Sequence, residues 1–232
     1  GETLNALLDE LDLSRRRLKD LSGQVLSAQE DERRRISREL HDDTAQSLTS
    51  LALVLKTIED TEDHPAVKEQ LRDVRREVEQ SIEGVRRLAR DLRPSTLDDL
   101  GLSAAVDWYV QALSQRTHLK VRYRSDLGGA RLPEAVELAL YRITQEALTN
   151  VVKHARASEI RVHLTRTAAT VVLQIFDDGI GLPESQDGHA DTSGVGLYGM
   201  RERAELIGGR LSLRSRAGCG VEIEAEAPLN GG

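Results

Sequence analysis

Phe176-Asp177-Asp178-Gly179-Ile180-Gly181 stands directly behind Val171 to Ile175, whose apolar residues alternate as they do in a half-buried strand. A carboxylate at a strand end can accept a hydrogen bond from an adenine amino group. The glycines Gly179 and Gly181 let the backbone turn closely around a flat base. By itself the hexapeptide is equally compatible with a plain tight turn, so its placement after a strand carries more weight than its glycines. Further on, Gly194-Val195-Gly196-Leu197-Tyr198-Gly199-Met200-Arg201 is a glycine-rich turn feeding a helix, whose first amides and dipole can receive phosphate oxygens. Between the two, Pro183 to Gly194 is almost wholly polar and is expected to be a mobile loop.

Upstream, helical spacing over Tyr141 to His154 places Ile143, Ala147 and Val151 on a buried stripe and Glu146, Asn150, Lys153 and His154 on another face. An amide and a carboxylate one turn apart can hold a hydrated magnesium ion, and Lys153 or His154 can meet the phosphates that it bridges. A solvated helix face explains this segment alone just as well. Three such elements in this order, around a polar loop, are much harder to reach by chance.

Together they resemble the GHKL ATPases: Thr149-Asn150 with its surroundings the N box, Asp177 to Gly181 the G1 box, Gly194 to Gly199 the G2 box. The resemblance implies a Bergerat-fold ATP site, an α/β sandwich in which Asn150 is the magnesium ligand and Asp177 reads adenine. Gly179, Gly181, Gly194, Gly196, Leu197 and Gly199 shape the pocket and its lid, residues 182–197. Glu146 is the residue that would activate a water or a nucleophile. One departure stands near the end: Gly218-Cys219-Gly220-Val221 replaces the family's Gly-x-Gly-Thr, so position 221 has no hydroxyl for the adenine site. Weaker ATP affinity, or a water bridging to Asp177, would follow.

Outward from this region, alternation predicts strands at Val121 and Tyr123, 160–164, 171–175, 211–213 and 221–225, with helices near 103–116, 133–155 and 198–207 on one face. Ahead of Pro94 the pattern is helical. No proline interrupts residues 2 to 61, and Leu4, Leu11, Leu18 and Val25 recur every seven residues, the signature of a coiled coil that needs a partner helix. After Asp31 the register changes as at a stutter, and Ile36, Leu40, Leu48, Leu51, Leu55 and Ile58 form a new stripe. Polar residues up to Pro65 then precede a second helix, Val67 to Leu92, completing a hairpin. Two helices cannot enclose a core, so two copies are expected to form a four-helix bundle, making a homodimer. The expected division is a signalling coiled coil over 1–31, a dimerisation and phosphotransfer hairpin over 32–94, and a catalytic ATP-binding domain over 95–232. The helical pattern starts at Leu4 with no capping sequence before it, which points to an upstream portion.

Within the hairpin lies Glu39-Leu40-His41-Asp42-Asp43-Thr44-Ala45-Gln46. A single helical histidine is ordinarily a solvated or core residue. Its neighbours give it chemistry: neutral imidazole attacks phosphorus through one ring nitrogen if Asp42 accepts a hydrogen bond from the other. Gln46 is five residues on, about one and a half turns of an α-helix. The run Glu-Leu-His-Asp-x-x-x-Gln behind Glu32-Arg33-Arg34-Arg35-Ile36 resembles the phosphoacceptor helix of histidine kinases paired with NarL/LuxR-type response regulators. Leu92-Arg93-Pro94 and Leu97-Asp98-Asp99-Leu100-Gly101-Leu102 resemble that subfamily's connector. The resemblance implies that His41 accepts the γ-phosphoryl group of ATP, Asp42 polarises it, and Gln46 positions the water that dephosphorylates the regulator. Arg33 to Arg35 are a solvated face or a docking site for an acidic regulator.

Composition narrows the partners. Thirty-two Lys and Arg against 39 Asp and Glu, a net charge of -7, give no reason to expect nucleic acid. One cysteine, Cys219, excludes an internal disulfide and suits a reducing, cytoplasmic setting. No apolar run reaches the roughly 20 residues of a bilayer span, so membrane attachment would come only through an N-terminal portion. Two other function classes remain open: a GHKL serine kinase or hydrolytic ATPase using Glu146 without His41, and a dimeric scaffold whose nucleotide site is inactive.

Overall fold

The structure, a computed structural model, describes residues 2–92, 95–182, 195–215 and 218–229. It divides into two compact units, Gly1–Ser95 and Thr96–Gly232.

The first unit is helical. α1 (Glu2–Glu39) runs into a π turn (Leu40–Thr44), α2 (Ala45–Thr61) continues from it, and α3 (Pro65–Leu92) returns after a short break. The chain is continuously α-helical through Asp31, as a stutter in apolar register allows, and the backbone irregularity lies further on, at Leu40–Thr44. Pro65 suits the first position of α3, where its missing N–H would have no helical partner. The hairpin is held at its closed end by Glu59, a largely buried carboxylate that accepts Arg72 Nε at 2.7 Å and Arg75 Nε at 3.2 Å. The hydrogen bond from Arg72, against a smaller opposing effect of burial, keeps the Glu59 carboxyl below its ordinary range. At the other end Ser37 Oγ donates to the Ala89 carbonyl at 2.8 Å, tying α1 to α3. Among the described residues few apolar side chains are buried here (Ala45, Ile82 and Ala89), while Leu51, Leu53, Val54, Ile58, Val67 and Val74 are exposed. These amphipathic helices therefore leave apolar faces uncovered within one chain.

The second unit is an α/β sandwich. α4 (Ser95–Arg116) breaks at Gly101, whose φ of 82° and ψ of -179° are not helical, so the helix expected near 103–116 has a short helical lead-in. Then follow β1 (Lys120–Ser125), α5 (Glu134–Asn150), a second π turn (Val151–Ala155), β2 (Glu159–Arg166), β3 (Thr170–Asp177), α6 (Val195–Leu206), β4 (Arg210–Ser215) and β5 (Val221–Pro228). The strand order is β1-β2-β3-β5-β4; β1 and β2 are parallel, and the other pairs antiparallel. A parallel pair needs a crossover, and α5 supplies it.

Register explains the core. Leu164, Leu173, Ala225 and Leu211 face one another across four strands, and residues of this parity pack against Val106, Leu140, Ile143, Leu148 and Met200 of the helices. The opposite parity forms the open face, where Arg161, Phe176, Glu222 and Arg214 make a row and the Arg161 guanidinium lies 4.3 Å from the Phe176 ring centroid. Leu173, fully buried on the central strand, carries much of this packing. Leu173→Ala should cost about 2–5 kcal/mol of stability, read as a lower urea midpoint at an unchanged slope.

Candidate functional site

Asp177 is the last residue of β3 and only 3% exposed. Its Oδ1 accepts the Gly179 N–H at 2.9 Å, and the Val221 backbone N–H also bonds the carboxylate. Burial, larger than the effect of these two bonds, pushes the Asp177 carboxyl above its ordinary range. This main-chain N–H is a different group from the side-chain hydroxyl that position 221 lacks.

Asp178 points elsewhere. Its Oδ1 accepts the backbone N–H groups of Ser158 at 2.7 Å and Glu159 at 2.9 Å, and Oδ2 accepts the Ser158 hydroxyl at 2.5 Å. The Glu159 amide leads the effects that hold its carboxyl below the ordinary range. Asp178 therefore fixes the entry to β2, a role that reading the Asp-Asp doublet as one motif does not separate. Arg156, in the left-handed region at φ 50° and ψ 33°, ends the second π turn just before it.

Backbone approaches close the site. The Ala155 carbonyl, at the end of that π turn, accepts the Ile180 N–H at 2.8 Å, and a Cβ on Gly179 would run into the same oxygen. The Ile180 carbonyl accepts the Gly218 N–H at 2.8 Å, and Leu182 N–H donates to Ser215 Oγ at 2.8 Å. Gly181 has φ of 75°; Gly220 has φ of 82° and lies so near the Asp177 carbonyl that a Cβ could not be fitted. The end of β3, the second π turn and the β4–β5 hairpin thus meet around Asp177.

The polar face of α5 meets α6. A Cβ on Gly196 would collide with Glu146 Oε1 and stand 3.3 Å from Asn150 Nδ2, which brings three of the expected residues together. Glu146 and Asn150 are half-buried. Leu197 packs against the core, and a Cβ on Gly199 would stand 3.1 Å from Arg203 Nη1. Lys153 and His154 are exposed on the second π turn. Gly194 and the rest of the loop 183–194 lie outside the described residues.

His41 lies in the first π turn, where Ala45 N–H bonds the Leu40 carbonyl, five residues back. Closing bonds over five residues instead of four advances the chain less per residue around the axis. Position 46 therefore comes round closer to position 41 than α-helical winding allows. Asp42 and Gln46 are exposed, whereas Ala45 is buried.

The two adjacent aspartates have opposite linkage signs. Asp178, with a lowered pKa, contributes stability that is present above its unfolded pKa and lost as pH falls through the folded one. Asp177, with a raised pKa, contributes stability that is present below its unfolded pKa and lost as pH rises through the folded one. Urea unfolding between about pH 3 and 6 should therefore show a shallower acid limb for Asp178→Asn and a steeper one for Asp177→Asn.

Residues 32–97 match the family described as "Histidine kinase", and residues 135–231 the family described as "Histidine kinase-, DNA gyrase B-, and HSP90-like ATPase". The oxygen sensor histidine kinase NreB of Staphylococcus carnosus (strain TM300) is 34% identical over 205 residues, which cover 88% of this chain and 58% of that relative. The chain therefore spans less than two thirds of the relative's length. Among solved structures, the histidine kinase domain from the Erythrobacter litoralis EL346 blue-light activated histidine kinase matches with a TM-score of 0.51 at 20% identity, over 79% of this chain and 94% of that one. The Erythrobacter litoralis EL346 blue-light activated histidine kinase itself gives 0.50 at 20% identity, over 79% and 59%. These two likenesses bear on the fold: a helical unit followed by an α/β sheet unit. With the histidine kinase match over the helices and the ATPase match over the sheet, in that order along one chain, the chain belongs to the histidine kinase family.

Proposed function

We propose that this chain is the phosphotransfer and ATP-binding part of a two-component sensor histidine kinase, which phosphorylates its own His41 and passes the phosphoryl group to an aspartate of a NarL/LuxR-type response regulator. The observation that carries this reading is the buried Asp177 at a strand end, flanked by glycines whose Cβ positions are already filled, in a chain whose helical unit matches the histidine kinases. Its parts are a signalling coiled coil over 1–31, a phosphotransfer hairpin over 32–94 and a catalytic domain over 95–232. The uncovered apolar faces of α2 and α3 fit a homodimer in which two hairpins make a four-helix bundle. No described helix is long and apolar enough to cross a membrane; this part works in the cytoplasm, with any membrane attachment lying N-terminal to it.

The residues fit ATP with magnesium. Among the described residues no group of three or more His, Cys, Asp or Glu could hold a metal ion, so a cation here rests on Asn150 together with phosphate oxygens and water. Bound there, ATP with magnesium supplies the γ-phosphoryl group and neutralises its charge. Asp177 accepts from the adenine amino group, and the amides of the first turn of α6 face the phosphates. Lys153 and His154 add positive or donor groups one turn beyond Asn150. Asp42 accepts the proton-bearing ring nitrogen of His41, leaving the other to attack; a nitrogen–phosphorus bond forms as the bond to the β-phosphate oxygen breaks and ADP leaves. In the reverse direction Gln46 orients the water that hydrolyses the regulator's acyl phosphate.

Glu146, half-buried beside Gly196, also suits a base for a serine kinase or an ATPase, and one experiment separates these readings. With radiolabelled ATP, the label on this chain should be acid-labile and alkali-stable, and it should vanish in His41→Gln and in Asn150→Ala. Acid-stable label, or label that survives His41→Gln, would sink the reading. Gln46→Ala should keep the label and slow regulator dephosphorylation at least tenfold. Val221→Thr should restore one hydrogen bond of about 1 kcal/mol, tightening fluorescent-ATP binding about fivefold in titration.

A further inference from the structure

In α1 the half-buried positions Arg33, Ser37 and Leu40 step by four and three residues, the spacing of a coiled-coil seam, with Arg34 and Ile36 beside them. In α2 the buried and half-buried positions are Ala45, Leu48, Ala52, Leu55 and Glu59, which step by three and four. Between Leu40 and Ala45 the step is five. Both seams face α3, for Ser37 meets the Ala89 carbonyl and Glu59 meets Arg72 and Arg75. Ser37 and Glu59 are 22 residues apart, three heptads and one residue more, and the π turn is where the surplus residue is taken up. Wound as plain α-helix from Leu40, the chain would instead put Thr44, Ser47, Leu51, Val54 and Ile58 on that seam. The three apolar residues of this second set are exposed. α2 therefore carries two apolar stripes one residue apart, and exchanging the π turn for an α turn swings the second stripe toward α3 by about 100°. Glu59 would swing out and leave Arg72 and Arg75, and neither arginine would be stranded, since both side chains are partly exposed. The five-residue step that returns Ala45 to the seam of Leu40 also returns position 46 to the side of position 41, whereas five α-helical steps leave them about 140° apart.

We propose that the π turn at Leu40–Thr44 is a register switch that chooses between kinase and phosphatase output, held in its π form by the tie of Glu59 to α3. This rests on the reading above, that His41 accepts phosphate and Gln46 orients the hydrolytic water. The two activities want opposite placements of Gln46. Hydrolysis of the regulator's acyl phosphate needs a water held on the His41 side of the helix, and phosphoryl transfer from ATP needs water kept away from it. The π form brings Gln46 round to that side and favours dephosphorylation; the α form carries it away and favours transfer. Because α1 runs without a break into the π turn, a twist applied along α1 shifts the population between the two forms.

Deleting the exposed Asp43 from the full chain removes the surplus residue, so the two seams of the π form join through an ordinary α turn and Gln46 stays on the side of His41, now four residues away. This variant should keep its helical circular dichroism and melting temperature. It should go on dephosphorylating a NarL/LuxR-type receiver domain charged with acetyl phosphate, and lose acid-labile label about tenfold or more, because the second form is out of reach. Glu59→Ala, about five turns from His41, should do the reverse, raising label about threefold and slowing dephosphorylation, as expected on losing partly exposed ion pairs. In the Asp43-deleted chain Glu59→Ala should change neither activity, since no second register is left to release. Undiminished label after the deletion would overturn the switch, as would loss of both activities, a lowered melting temperature, or an effect of Glu59→Ala that persists in the deleted chain. Failure of the underlying reading looks different, as absence of acid-labile label or of dephosphorylation in the unaltered chain.

Discussion

The carbonyl of Ala155 is the point on which the nucleotide-side architecture depends. It closes the second π turn, accepts the N–H of Ile180 at 2.8 Å and leaves position 179 no space for a side chain. Three different parts of the chain meet through it: the helix that carries Glu146 and Asn150, the end of the central strand that carries Asp177, and, through the Ile180 carbonyl, the hairpin that carries Gly218 and Gly220. A backbone acceptor cannot rotate away as a side chain can, so these parts hold a fixed spacing. Asp177 is then buried because its surroundings are close-packed, and its raised pKa follows from that burial.

The two units achieve order by different means. The sheet unit buries a complete core, from Val106 and Ile143 to Leu173 and Met200. The helical unit does not; its most definite internal contacts are polar, Glu59 with Arg72 and Arg75 at one end and Ser37 with Ala89 at the other. Polar ties of this kind set how the hairpin closes but add little cohesion. Apolar residues on α2 and α3 stay exposed, and a second hairpin is what would cover them.

Much of this was legible in the sequence because it obeys simple periods. Alternation located all five strands near their observed places, and the glycine positions marked the turns around Asp177. Periodicity is nearly blind to a single extra residue in a helical turn, so neither π turn, Leu40–Thr44 or Val151–Ala155, was foreseen. The separate duties of Asp177 and Asp178 depend on which strand each one faces, which no local pattern records. Position 221 is a further instance. Judged by its side chain it lacks a hydroxyl, while its main-chain amide bonds the Asp177 carboxylate just beyond the last β3–β5 pair, Phe176 with Glu222. No local pattern singles out Arg131, and only the fold brings the carbonyls of Leu97 and Asp98 to it.

The charged open face has a consequence for how copies of this protein avoid one another. β1 and β4 are the edges of the sheet, and both expose cations: Lys120, Arg122 and Arg124 on one, Arg210 and Arg214 on the other. An edge strand is a template for adding another strand, and like charges along it are a standard defence against aggregation. Each of these cations is met by a nearby carboxylate, Glu159 for Lys120 and Arg122, Asp126 for Arg124, Glu226 for Arg210 and Glu222 for Arg214, so both edges present solvated ion pairs that a further strand would have to desolvate. A chain whose apolar helices invite self-association is thus discouraged from fibre-like stacking through its strands, and its helical faces are left as the route by which copies can pair.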